Sequence, residues 1–265
     1  MTSEHPIERQ LYLRGIVLSA TGIFIISPDG LLLRLIGQAG VWEIIFWRSL
    51  FMGISLALIL LLRYRTQIAE TWRGIGGIFM ISAALMAGGN LGFVGAITHT
   101  TVANTLVILA TMPLFSALLG RLLIGEEVRP RTWMAILIAT GGIVVIFSGS
   151  LGGGLWTGNL LAVLTAFLMG LNLVVLRKVG RRDMTPALCL AGFLAAGLAA
   201  PFAGPATVNA HDMAVLALLG FLVIPLALAL FFSGARYVPA AEVALLALIE
   251  TVLGPIWVWL GISET

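Results

Sequence analysis

The sequence predicts an all-α fold, a polytopic bundle of membrane-spanning helices, on three observations. Hydrophobic residues make up 60% of the 265 positions and charged residues only 10%, against roughly a quarter charged in soluble domains. The mean hydropathy is +1.07. Long apolar runs recur along the whole chain, separated by short connections that carry nearly all the charge.

A helix needs about 20 apolar residues to cross a hydrocarbon core of about 30 Å, and nine stretches meet that requirement. They cover 12 to 35, 41 to 62, 74 to 98, 101 to 123, 132 to 148, 156 to 177, 185 to 203, 213 to 234 and 240 to 261. The first is read as a retained helix rather than a signal peptide, because its apolar run continues through Ser27-Pro28-Asp29 into more leucine. Pro28 predicts a helix break beside Asp29, which is expected near the outer interface together with Glu43. Pro225 predicts a kink in the eighth span. Gly152-Gly153-Gly154 reads as a linker and lacks the lysine and hydroxyl residue of a phosphate loop. No stretch is long enough for a separate soluble domain, so function is expected inside the bundle.

Orientation follows from the fifteen basic residues. Arg9, Arg14, Arg63, Arg65, Arg73, Arg121, Arg129, Arg131, Arg177, Lys178, Arg181, Arg182 and Arg236 all fall on the side of the N-terminus, Arg34 falls on the other, and Arg48 lies within span two. That asymmetry predicts a cytoplasmic N-terminus. Tyr12, Tyr64, Trp72, Trp133, Trp156 and Tyr237 sit at span ends, as interfacial aromatics do. The positive excess of three is too scattered for a nucleic-acid surface. A single cysteine, Cys189, excludes an intrachain disulfide and a cysteine-rich metal site.

The two halves resemble each other weakly. An offset of 138 pairs Val102-Ala103-Asn104 with Ala240-Ala241-Glu242, His99 with Tyr237 and Glu126 with Glu264. An offset of 143 pairs Gly15 with Gly158, Phe24 with Phe167, Asp29 with Asn172 and Arg34 with Arg177. Two five-helix units, 11–148 and 155–265, follow from these matches. An odd number of crossings makes the second unit enter from the opposite side, the inverted repeat of many secondary transporters. A tenth helix is then expected after Glu264, nine being present; a nine-helix protein with its C-terminus on the far side is the alternative.

The run TTVANTLVILATMPLFSALLG from Thr100 to Gly120, followed by Ile124-Gly125-Glu126, resembles the fourth-helix signature of EamA-type carriers in the drug/metabolite transporter superfamily. Glu250 through Pro255 to Glu264 is similar to the ninth-helix equivalent, and Arg48 in Trp47-Arg48-Ser49 matches an arginine often carried in helix two. The resemblance implies ten helices in two inverted units around a central cavity, alternating access, and a bacterial inner membrane. It also implies export of amino acids or other small metabolites, the aromatic amino acid exporters being the type resembled. Thr251 stands where a proline often follows the ninth-helix glutamate, so the kink is expected at Pro255.

Candidate substrate-binding residues come from polar positions inside spans. In span three, Ala84, Gly88, Gly92 and Ala96 form a small-residue stripe for a close neighbour. Asn90 lies about 200° round the helix from Gly88, with Met86 and Phe93 beside it. Asn104 and Ile108 lie on a mildly polar face of span four with Thr101, Thr105 and Thr111. Thr165 and Asn172 make a similar face in span six with Met169. Phe24, Phe93, Phe167 and Phe231 offer rings to an apolar substrate. Each of these side chains has a competing use in packing or in interhelical hydrogen bonding, so both roles stand open. Glu250 lies about 15 Å into span nine by helical rise, with Glu242 nearer the cytoplasmic end. Ionisable residues at such depth are functional candidates. Desolvation disfavours the charged carboxylate, so Glu250 could carry an exchanged proton; alternatively it forms a permanent ion pair, with Arg48 as partner. His99 and Tyr237 are candidate gates at span ends, although an interfacial position accounts for both.

Other activities fit poorly. His5, His99 and His211 lie outside the middle of any span, which argues against an intramembrane hydrolase. Clustered metal ligands are missing from the sequence, and no cofactor is expected. Phosphorylated substrates would call for several cavity cations. A neutral, apolar or aromatic amino acid is the leading substrate. A multidrug exporter of lipophilic cations, with Glu250 as counter-charge, and a passive channel or scramblase are the alternatives. Substrate and lipid bilayer are the expected partners, and a monomer the expected state.

Overall fold

The computed structural model describes residues 6–64, 76–127, 156–180, 182–204 and 208–262, with isolated positions between 130 and 141. The expected Gly152-Gly153-Gly154 linker and Glu264 lie outside the described residues. So does most of the fifth span, of which Trp133 and Ile136 pack with Ala117 and Ala241.

The described helices are α1 (Pro6–Ile26), α2 (Asp29–Arg34), α3 (Val41–Tyr64), α4 (Gly77–His99), α5 (Val102–Leu109), α6 (Met112–Ile124), α7 (Trp156–Val179), α8 (Thr185–Ala199), α9 (Ala210–Leu218), α10 (Ile224–Ala235), α11 (Ala240–Leu246) and α12 (Leu248–Ile262). Among the described residues seven spans are long and apolar enough to cross a membrane, and α8 is a shorter apolar helix. The architecture is a polytopic helical bundle. It agrees with the sequence reading within a few residues at most span ends.

Several spans are interrupted where the sequence supplies a reason. Pro28 separates α1 from α2, and the Ser27 hydroxyl takes up the Phe24 carbonyl at 2.8 Å. Thr101 caps α5 by accepting the Asn104 N–H. Ala110 and Thr111 divide α5 from α6 just before Pro113. Gly125 closes α6 with φ +67°, the left-handed conformation that glycine adopts without strain. In span eight a π-helical turn, Leu219–Val223, joins α9 to α10 immediately before Pro225, so the expected irregularity takes the form of a π-bulge. In span nine the interruption is at Ala247 rather than Pro255, which sits inside α12. The Glu250 N–H reaches back only three residues to the Ala247 carbonyl, at 3.0 Å, tightening the chain there.

The helix packing repeats itself. The first span lies along the eighth, and the third along the sixth; the second packs on the seventh and the fourth on the ninth. Shifting every span by five converts the first of these pairs into the second and returns the other two to themselves. The contacts repeat in detail. A Cβ on Gly15 would lie 2.9 Å from the Gly234 carbonyl oxygen and from Tyr237 Cβ, and one on Gly158 would lie 2.8 Å from the His99 carbonyl carbon and from Thr100 Cβ. Arg34 Nη2 donates to the Thr100 carbonyl at 2.8 Å, and Arg177 Nη1 to the Arg236 carbonyl at 3.4 Å. Gly15 and Gly158, like Arg34 and Arg177, are the pairs that align at an offset of 143.

The small-residue stripe of α4 seats α7: a Cβ on Gly88 would meet Leu168 at 3.1 Å, and one on Gly92 would collide with Thr165. Ala84 is exposed and takes no part. Hydrophobic burial between helices unites nearly all spans in one core, from Leu33 and Ile45 through Val94 and Leu173 to Val258.

Candidate functional site

A cavity of about 170 Å³ lies where spans one, two, three, four, six, seven, eight and nine converge. Its wall is largely apolar. Phe93, Phe231 and Phe232 contribute rings, and Met52, Met86, Met112 and Met169 contribute thioethers. Interrupted helices supply part of this wall, through Asp29 after Pro28, Ala110 and Met112 at the α5–α6 junction, and Ala247 and Leu248 at the α11–α12 junction. Discontinuities of this kind are where membrane carriers place their sites.

Three ionisable residues, Asp29, Arg48 and Glu250, belong to the lining. Arg48 Nη2 donates to Asp29 Oδ2 at 2.6 Å, with the two side chains 4% and 1% exposed. Arg48 Nη1 donates to Asn90 Oδ1 at 3.1 Å, and Asn90 Nδ2 donates to Ser49 Oγ at 2.7 Å. The Phe93 ring centroid is 5.7 Å from the guanidinium carbon. The π-turn supports this arrangement from behind, because a Cβ on Gly220 would lie 2.7 Å from the Arg48 carbonyl oxygen. Asp29 Oδ1 and Arg48 Nε are buried without a hydrogen-bond partner among the described residues.

Glu250 is the eleventh residue of the 22-residue span Ala240–Gly261, midway along it. Its carboxylate makes no hydrogen bond among the described residues. It lies within electrostatic range of both Asp29 and Arg48. Arg48 is therefore paired with Asp29, not with Glu250. Asp29 is also not at a watery interface: the break at Pro28 turns α2 inward and leaves it fully buried.

Of the candidate residues, Met86, Asn90, Phe93, Thr165 and Phe231 line the cavity with Arg48 and Glu250. The others sit elsewhere. Phe24 points outward from α1 and is 58% exposed; Phe167 is also exposed and packs edge-on against Phe115. Ile108 packs with Ala96 and Ala162 in a separate small core. Asn104 Nδ2 donates to Thr100 Oγ1 near the end of α4, and Asn172 Oδ1 accepts the Ser82 hydroxyl between α4 and α7. Glu242 accepts the Tyr12 hydroxyl at 2.7 Å, tying the start of α11 to α1. His99 lies near the end of α4 with Nδ1 2.8 Å from the Gly95 carbonyl. Sequence reasoning did not place Met52, Met112, Phe232 and Thr251 in the lining. Met52 lies one helical turn beyond Arg48 on the same face of α3, and Met112 and Thr251 stand within about a turn of the breaks at Ala110–Thr111 and Ala247.

A bundle of apolar helices closed around a cavity that holds charged side chains has the build of a membrane transporter. The sequence profile of the EamA-like transporter family matches residues 13–148. The chain belongs to the EamA-like transporter family. No curated protein matches the chain. A solved structure titled "Crystal structure of protein" is similar with a TM-score of 0.73 and 16% identity, over 95% of this chain and 91% of that one. At that identity the likeness is one of fold.

Proposed function

We propose that the protein exports small metabolites with an apolar or aromatic body, apolar and aromatic amino acids first among them, by alternating access. The observation that carries the reading is the cavity, lined with rings and thioethers around charged groups and drawn from both halves of the chain. The halves act as two inverted five-helix units, 11–148 and 155–265, a reading supported by the packing that recurs when spans are shifted by five. The cytoplasmic N-terminus follows the distribution of basic residues, and a bacterial inner membrane follows the family resemblance. The bundle works as a monomer.

Phenylalanine, tryptophan and leucine loaded into liposomes that carry the full chain test this reading. Efflux of labelled substrate is expected to accelerate when unlabelled substrate is present on the other side. Protein-dependent flux without such acceleration identifies a channel instead, and absence of flux for every amino acid refutes the substrate class.

A further inference from the structure

The polar atoms around the cavity differ sharply in what they still have to give. Arg48 donates one N–H of Nη2 to Asp29 and one of Nη1 to Asn90, Phe93 lies against its guanidinium, and its Nε is buried without a partner among the described residues. Asn90 commits one of its two amide hydrogens to Ser49. Thr165 and Thr251 donate their hydroxyls to the Leu161 and Leu106 carbonyls, at 2.8 and 3.2 Å. Every other lining side chain is apolar or, like Asp29 and Glu250, an acceptor when ionised. Of the five Arg48 N–H groups and the two of Asn90, those that remain belong to side chains already clamped by Asp29, Asn90 and Ser49, while the acceptors Asp29 Oδ1 and Glu250 have no hydrogen-bond partner among the described residues.

The charges set the preference. Asp29 and Arg48 neutralise each other at 2.6 Å. Glu250 is the carboxylate left over, and it accepts no hydrogen bond among the described residues. A ligand that suits this wall brings its own donors and a positive charge, as an ammonium group with three N–H donors does. A ligand carboxylate would have to share Arg48 with Asp29, would sit beside Glu250, a residue of its own sign, and would lose its hydration on the way.

The geometry points to Glu250 as the receptor of a protonated primary amine on an apolar or aromatic body, so that the cavity holds such monocations more tightly than amino acids of the same body. This assignment rests on the transport reading above and names its charge class. Aromatic faces attract cations, and Phe93, Phe231 and Phe232 offer rings for both the body and the charge. Thioethers adapt to different shapes, so the four methionines tolerate varied bodies. Selection falls on the head group.

Three ligands that share one phenyl group on a short chain isolate the head group: 2-phenylethylamine, phenylalanine and 3-phenylpropionate. Their binding to the full-length protein in nanodiscs is measured by calorimetry at one pH and salt concentration, with size exclusion reporting the integrity of each variant. The amine is expected to bind about tenfold or more tightly than phenylalanine, which brings the same ammonium group but must also bury a poorly partnered carboxylate beside Glu250, with phenylpropionate weakest. Glu250→Gln is expected to remove that preference, and Glu250→Asp to keep most of it. Phenylalanine binding as tightly as the amine, or an amine preference that survives Glu250→Gln in a monodisperse protein, overturns the assignment. Trans-stimulated phenylalanine flux without an amine preference overturns it and leaves the transport reading standing. Failure of all three ligands to bind or move overturns both.

Discussion

Replacing Asp29 by alanine removes the oxygen 2.6 Å from Arg48 Nη2 and leaves the guanidinium in place, almost fully buried. Breaking one side of a buried pair costs about 3–5 kcal/mol, and an arginine cannot escape by losing its proton. The Asn90 bond survives, and Glu250 stands within electrostatic range to take over part of the lost role. The alanine variant is therefore expected near the lower end, about 3 kcal/mol, and to fall toward about 5 kcal/mol when Glu250→Gln is added. Arg48→Met is milder, because the abandoned carboxyl can become neutral by taking up a proton. Asp29→Leu combined with Arg48→Met, an apolar replacement of the pair, should return close to the parent stability. Unfolding midpoints in mixed detergent micelles, read by circular dichroism, compare the four variants with the parent. The reasoning fails if Asp29→Ala is as stable as the parent, or if the apolar double variant is no better than the alanine variant alone.

Four further outcomes are expected. Gly22→Val should lower the thermal midpoint and transport together, since a Cβ there would lie 2.7 Å from the Phe231 nitrogen, whereas Gly37→Val, with open space around it, should change neither. Asp212 accepts the Gly37, Gln38 and Ala39 N–H groups at 2.9 to 3.2 Å; Asp212→Ala should cost about 1–3 kcal/mol and speed amide exchange at those three positions in mass spectrometry. Arg177→Ala breaks a partly exposed pair with Glu126 and should shift the unfolding midpoint by less than about 1 kcal/mol. In intact cells, an impermeant maleimide should label Gln38→Cys and spare Lys178→Cys, the buried Cys189 remaining silent in both; the reverse pattern refutes the proposed orientation.

The spans were legible in the sequence because twenty-residue apolar stretches and charged connections are a strong, local signal. Val41–Tyr64 and Trp156–Val179 begin where the sequence places them. Which face of a span looks inward was less legible. Lipid and cavity wall are both apolar, so hydropathy gives Phe24 and Phe231 the same standing, yet one is exposed on the outside of α1 and the other lines the cavity. Polarity helped only where a side chain had no tolerable place in lipid, as for Asn90, Arg48 and Glu250. Asn104 and Asn172 met the same criterion and bonded to Thr100 and Ser82 between helices, the competing use of such groups. Asp29 was misplaced because counting along the span from 12 to 35 puts it within about two turns of the outer end. Pro28 breaks the helix there, and the break turns the carboxylate toward Arg48.

The seam between α1 and α10 has a consequence for synthesis. Gly15 meets Gly234, more than two hundred residues later in the chain, so the first helix waits in the bilayer until nearly the whole protein has left the ribosome. Chains grow at about 5–20 residues per second, which makes that wait roughly ten seconds or longer. During it an isolated carboxylate in the first span would be costly in lipid. The partner of Asp29 is only nineteen residues away, in the very next helix, so the hairpin of the first two spans can neutralise its own charges before any other helix arrives.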